Sequence, residues 1–248
     1  MPKNYMIGNW KMNQSLSDIE AFFSALNLEN NQNNFWISPQ SIHIPKCLEL
    51  GVKAGVLIGA QNCSDQDQGA FTGEISPESL MELGAHFTLI GHSERRSHYK
   101  ETDAFINKKV AKAIEKGLVP VLCIGETLEQ REAGQTFDVV LTQIKADLEG
   151  ISLNNESELI IAYEPVWAIG TGKTATPEQA AEVHDKIRAL LQELYGDVGE
   201  EVSILYGGSV KPDNVKDLLG QTNINGGLVG GASLKADSFN KLCAACSL

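Results

Sequence analysis

Apolar residues recur along this chain in short, nearly continuous runs, separated by stretches with helical periodicity. The runs fall at residues 5–7, 35–37, 56–60, 87–90, 119–124, 159–162, 202–206 and 227–229. Each has strand length and is too apolar to leave one face in solvent. Between the runs the apolar period lengthens: Ile19, Phe22, Phe23 and Leu26 share one face of a helix expected over 17–26. Start and stop signals bound further helices. Ser76-Pro77-Glu78 joins an N-cap to proline at the first helical position, and Thr176-Pro177-Glu178-Gln179 is a capping box opening a helix to Tyr195. Gly51 and Gly117 close helices expected over 45–50 and 102–116. Helical patterns also cover 128–148, 212–219 and the C-terminus.

Strand then helix, eight times, predicts a parallel sheet covered by helices. Eight units in 248 residues match an α/β chain closed into a parallel (β/α)8 barrel better than an open doubly wound sheet. No linker, low-complexity segment or composition shift divides the chain, so residues 1–248 are expected to form one domain.

Composition narrows the partners. A 42% hydrophobic, 21% charged chain supports a full core, and a net charge of −12 argues against nucleic acid or an anionic membrane as partner. An anionic ligand would need local positive features to overcome that field. No N-terminal segment joins basic residues to an apolar core and no run reaches membrane-spanning length, so a soluble, cytoplasmic protein is expected. The five cysteines read as thiols of a reducing compartment. Cys243 and Cys246 form a C-x-x-C pair, weak for zinc without a second pair or a nearby histidine.

In a parallel barrel every strand C-terminus opens on one face, where active sites form. The polar endings of the eight runs therefore converge in space although they are scattered in sequence. They bring Asn9, Lys11, His92, Glu164, Gly207-Gly208-Ser209 and Gly230-Gly231 around one mouth. Taken singly, each has a bland reading as a solvated lysine, a strand-end ion pair, a satisfied histidine or a simple turn; His86 and His184 keep that structural reading. Taken together they suit proton abstraction next to a carbonyl. The Gly-rich turns after strands seven and eight offer backbone N–H groups to a phosphate, with Ala232-Ser233-Leu234 able to start a short helix aimed at it. Lys11 supplies a cation, Glu164 a base and His92 a hydrogen-bond donor. Histidines do not pair at metal-ligand spacing and no serine or cysteine has a nucleophile setting, so neither metal nor cofactor is expected.

Glu164 is followed by Pro165, which keeps it extended at the strand tip. Residues 165–173 then have the make-up of an apolar lid with a candidate hinge at each end. Gly172-Lys173-Thr174 imitates the end of a P-loop, but the first glycine of that motif would fall at Trp167. Gly170-Thr171-Gly172 fits the dinucleotide fingerprint loosely, yet a loop separates it from its strand.

Six stretches, in order, resemble the triosephosphate isomerase family: Gly8-Asn9-Trp10-Lys11-Met12-Asn13, Gly69-Ala70-Phe71-Thr72-Gly73-Glu74, Gly91-His92-Ser93-Glu94-Arg95-Arg96, residues 163–173, Tyr206-Gly207-Gly208-Ser209-Val210, and Leu228-Val229-Gly230-Gly231-Ala232-Ser233-Leu234. The resemblance spans essentially the whole chain. It implies a TIM barrel that interconverts dihydroxyacetone phosphate and D-glyceraldehyde 3-phosphate without a cofactor. Glu164 would be the base, His92 the group polarising the carbonyl, and Asn9 and Lys11 substrate contacts, with Glu94 orienting Lys11. The backbone of Gly170, Ser209, Gly230 and Gly231 would hold the phosphate under the closed lid. The resemblance also implies a homodimer in which the loop 61–74 of one subunit, around Thr72, inserts beside the active site of the other. The polar segment Ser64-Asp65-Gln66-Asp67-Gln68 and the Cys243/Cys246 tail depart from many relatives. Two rivals stay open: another aldose–ketose isomerase of sugar phosphates, and a barrel that binds such a ligand without catalysis.

Overall fold

The computed structural model describes residues 1–28, 34–169 and 174–246. Eight strands appear where the apolar runs lie: β1 Tyr5–Asn9, β2 Asn34–Ser38, β3 Leu57–Ile58, β4 Phe87–Ile90, β5 Val119–Ile124, β6 Ile160–Tyr163, β7 Ser203–Tyr206 and β8 Gly226–Val229. All pair in parallel, in the spatial order β3-β2-β1-β8-β7-β6-β5-β4. The remaining seam closes just beyond β3. Ala60 bridges to Thr88, its N–H donating to Phe87 O at 2.9 Å and its carbonyl accepting from Leu89 N–H at 2.9 Å. The expected (β/α)8 barrel is therefore what forms, with helices between the strands.

Both faces of the barrel wall are buried, which is why the strands read as unbroken apolar runs. Tyr5 and Ile7, Val121 and Cys123, and Ile160 and Ala162 fill the barrel interior. Their alternating neighbours Met6, Leu122 and Ile161 pack outward against the helices. Side chains alternate at every residue, so the inward sets 5, 7, 9 and 160, 162, 164 carry Asn9 and Glu164 to the mouth of the barrel.

The helical pieces differ from expectation in three places. Gly51 lies inside the helix Ile44–Ala54, which ends at Gly55 in the left-handed conformation with φ 68°. The pattern over 128–148 is broken into Leu128–Glu132 and Thr136–Asp147, with Gly134 at φ 72° between them. The stretch from Pro212 becomes helical only at Val215–Leu219. Among the described residues no helix is long and apolar enough to cross a membrane.

Candidate functional site

The inward residues at the strand ends enclose a cavity of about 380 Å3. It is lined by Asn9, Lys11, His92 and Glu164 together with Ser209, Gly230 and Gly231. Every expected site residue except Gly170 therefore meets at one place; Gly170 and residues 171–173 of the lid lie outside the described residues.

Glu164 is 2% exposed and its carboxylate is held at both oxygens. His92 Nε2 lies 2.8 Å from Oε1, and the Ser93 N–H donates to Oε2 at 2.9 Å. Two glycines make room for it. A Cβ on Gly207 would stand 2.8 Å from the Glu164 Cγ, and one on Gly125 would sit 1.7 Å from the Glu164 carbonyl oxygen.

His92 caps the helix Ser93–His98: its Nδ1 accepts the Glu94 N–H at 3.2 Å. Nδ1 thus presents a lone pair, which leaves the ring proton on Nε2, facing Glu164. Burial opposes a charge on this ring, but the Glu164 carboxylate in contact outweighs it, and the net shift of the His92 pKa is upward.

Lys11 has a left-handed backbone, φ 50°, a conformation costing about 1–3 kcal/mol for a side-chain-bearing residue. Three contacts fix it. Its N–H donates to Asn9 Oδ1 at 3.0 Å, its carbonyl accepts from Gln61 Nε2 at 2.8 Å, and its Nζ lies 2.6 Å from Glu94 Oε1. Burial opposes ionisation of Glu94, but its bond to Lys11 and the nearby ring of His92 bring its carboxyl below the usual range.

The amides of Ser209 and Gly231 donate to no acceptor among the described residues, and both residues line the cavity. The 3-10 turn Gly231–Ser233 starts here, as the Ala232-Ser233-Leu234 pattern suggested. N–H groups left open in this way can receive an anion without a full charge.

Two further polar residues, Gln61 and Glu126, bond to the elements that carry the site. Gln61 bonds both Lys11 O and Ser38 O. Glu126, fully buried, accepts from Tyr163 OH and from Trp167 Nε1 in the 3-10 turn Val166–Ala168. Gln61 directly follows one strand run and Glu126 lies two residues beyond the end of another, so the rule that found Asn9 and Glu164 also points at them. His184 is structural as expected, buried with Nδ1 2.8 Å from Asn223 O. Among the described residues no cluster of His, Cys, Asp or Glu could hold a metal ion.

A second hollow, about 500 Å3, adjoins the first across Asn9, Lys11 and His92 and is walled by Gln61, Glu74 and Arg95. The loop 61–74 forms part of this wall and is tied to the barrel by Asp67, which meets Lys112 at 3.4 Å and Lys116 at 3.1 Å. Thr72 at its tip is exposed.

The family model described as Triosephosphate isomerase matches residues 4–246. The chain is 48% identical to the triosephosphate isomerase of Alkaliphilus metalliredigens over 243 residues, covering 96% of this chain and 98% of that one. It is 48% identical to that of Fusobacterium nucleatum, covering 96% and 97%, and 45% identical to that of Caldanaerobacter subterraneus, covering 98% and 99%.

Proposed function

From the premise that the chain belongs to the triosephosphate isomerase family, we propose how its own residues carry out the isomerisation of dihydroxyacetone phosphate and D-glyceraldehyde 3-phosphate. The observation that carries this reading is the His92 Nε2–Glu164 Oε1 contact of 2.8 Å, in the same cavity that Ser209 and Gly231 line.

A phosphate seated on those amides, and on the backbone of Gly230 and Gly170, leaves a three-carbon chain reaching back toward Glu164. The substrate carbonyl takes the place of the Glu164 carboxylate on the His92 Nε2–H. Glu164, released from that bond, removes a proton from the carbon next to the carbonyl. The electron pair moves onto the oxygen facing His92, giving an enediolate. The hydroxyl proton on the neighbouring oxygen passes to that oxygen by way of the His92 ring, and the same carboxyl returns its proton to the neighbouring carbon as the carbonyl re-forms at the first. Lys11, backed by Glu94, and Asn9 stabilise the negative charge that develops. Closure of residues 165–173 keeps water from the intermediate and limits loss of its phosphate. No step calls for a metal or cofactor.

Residues 1–248 act as one domain in this reading, located in the cytoplasm. Its active form is a homodimer in which Thr72 of a second copy fills the hollow beside Asn9, Lys11 and Gln61. Dilution with ultracentrifugation is expected to show activity falling as subunits separate; a fully active monomer overturns the dimer.

The function is tested by isomerisation of glyceraldehyde 3-phosphate without added metal or cofactor, beside Glu164→Gln. Loss of a positioned base costs about 10²–10⁴-fold in kcat. Turnover surviving in the variant would discard Glu164 as base. Absence of turnover in the folded parent would favour another sugar-phosphate isomerase or a binding protein, separated by assaying other aldose phosphates.

A further inference from the structure

The described lining of the active-site cavity includes two lysines, and they are not equivalent. Lys11 Nζ is 2.6 Å from Glu94 Oε1, so much of its charge is balanced before a ligand arrives. Lys211 lines the same cavity beside Ser209 and Val210, is exposed, and forms no ion pair among the described residues.

The backbone around Lys211 is clamped. Its N–H donates to Asn214 Oδ1 at 2.8 Å, while Asn214 Nδ2 donates to Ser209 O at 3.0 Å. One amide side chain thus spans the turn and fixes the root of the lysine relative to the Ser209 N–H. Pro212 next in the chain restrains Lys211 further. The chain as a whole carries a net charge of −12, which repels a dianion at long range. The backbone cradle acts only at contact, and a paired Lys11 offsets little of that field. An unpaired cation at the rim acts across about 10 Å, the screening length at 0.1 M salt.

We infer that Lys211 recruits the phosphate of the substrate. It draws the dianionic end toward the Ser209 and Gly231 amides and so sets capture, while proton transfer proceeds without it. This rests on the triose-phosphate reading above. A residue of this kind moves kcat/KM and leaves kcat, and its effect is erased by salt.

The test compares the parent with Lys211→Gln, Lys211→Glu and Lys211→Arg at about 10 mM and about 0.5 M salt, and titrates inorganic phosphate into each protein by calorimetry. At low salt, kcat/KM is expected to fall about 3-fold in the glutamine variant and about 10-fold in the glutamate variant, with kcat within about 2-fold. Both losses should vanish at high salt, arginine should restore the parent value, and phosphate affinity should follow the same charge order. A glutamate variant equal to the parent at low salt overturns the inference, as does a loss that persists at high salt or lies in kcat. If the parent does not turn over triose phosphate yet its phosphate affinity follows the charge at position 211, the isomerase reading fails and Lys211 stands as the anion-recruiting residue. Phosphate affinity indifferent to that charge overturns it.

Discussion

The Trp167 indole Nε1 donates to Glu126 Oε1 at 2.9 Å across 41 residues of chain. The same carboxylate accepts from Tyr163 OH at 3.1 Å, and Arg131 Nη1 stands 3.4 Å from it with its guanidinium 5.3 Å from the centre of the Trp167 ring. The end of β6 and the 3-10 turn Val166–Ala168 thus share one buried anchor on either side of Glu164. Glu126→Ala would leave three donors, Trp167 Nε1, Tyr163 OH and Arg131 Nη1, without this acceptor. We expect it to lower the unfolding free energy by about 2–4 kcal/mol, and Glu126→Gln, which keeps an acceptor, by about 1 kcal/mol. Urea unfolding of both variants measures this; equal losses would show that the charge and its bonds are not what ties these two segments together.

The pairing of His92 with Glu164 makes a prediction about protons. Nδ1 accepts the Glu94 N–H, so nitrogen-15 spectra of the ring above its titration should show a protonated Nε2 and a bare, hydrogen-bonded Nδ1. Burial lowers the pKa of this ring and Glu164 raises it to a net upward shift. Glu164→Gln removes the second influence, and the His92 pKa should then fall below that of the parent. The sign for stability follows. A raised histidine contributes fully below its ordinary value of 6.5 and loses that contribution as pH rises through its folded-state value. A Glu164→Gln protein should lack this part of the pH dependence. A His92 that titrates identically in both proteins refutes the coupling.

Gly51 separates what was legible in the sequence from what was not. The eight strands could be read because burial on both faces leaves a local trace, an unbroken apolar run. Their endings exposed Asn9, His92 and Glu164 because one topological rule sends all of them to the same mouth. The same rule points at Gln61 and Glu126, but what they do rests on hydrogen bonds to other elements, which no local pattern records. Gly51 looked like a helix stop for the same reason: its requirement is tertiary. A Cβ there would lie 2.9 Å from Val56 O and 3.0 Å from the Ile58 side chain, where the helix crosses β3. Gly51→Ala should therefore destabilise by about 1–3 kcal/mol through overpacking, reversing the gain of about 1 kcal/mol that helix propensity alone would give. Chemical denaturation decides between the two signs.

Arg188 is 5% exposed, yet it is held by neutral acceptors: Gly199 O at 2.7 Å, Asn223 Oδ1 at 3.2 Å and Asn225 Oδ1 at 3.2 Å. Burial pushes its pKa down, and among the described residues it makes no ion pair. Asn225 Oδ1 also accepts the Ile204 N–H at 3.0 Å, tying β7 to the start of β8. Asn225→Asp keeps an oxygen on both donors and places a negative charge against the guanidinium. The half-buried position limits the desolvation cost, so charge-assisted bonding should prevail by about 1–2 kcal/mol near neutral pH. The new carboxylate would titrate below the ordinary aspartate value of about 3.9. Its contribution is then complete above that value and lost as pH falls through the folded-state pKa. Thermal unfolding of parent and variant at about pH 7 and about pH 3 should show the gain only at the higher pH. Equal stability at neutral pH would mean that the neutral cage already satisfies Arg188 as well as a carboxylate would.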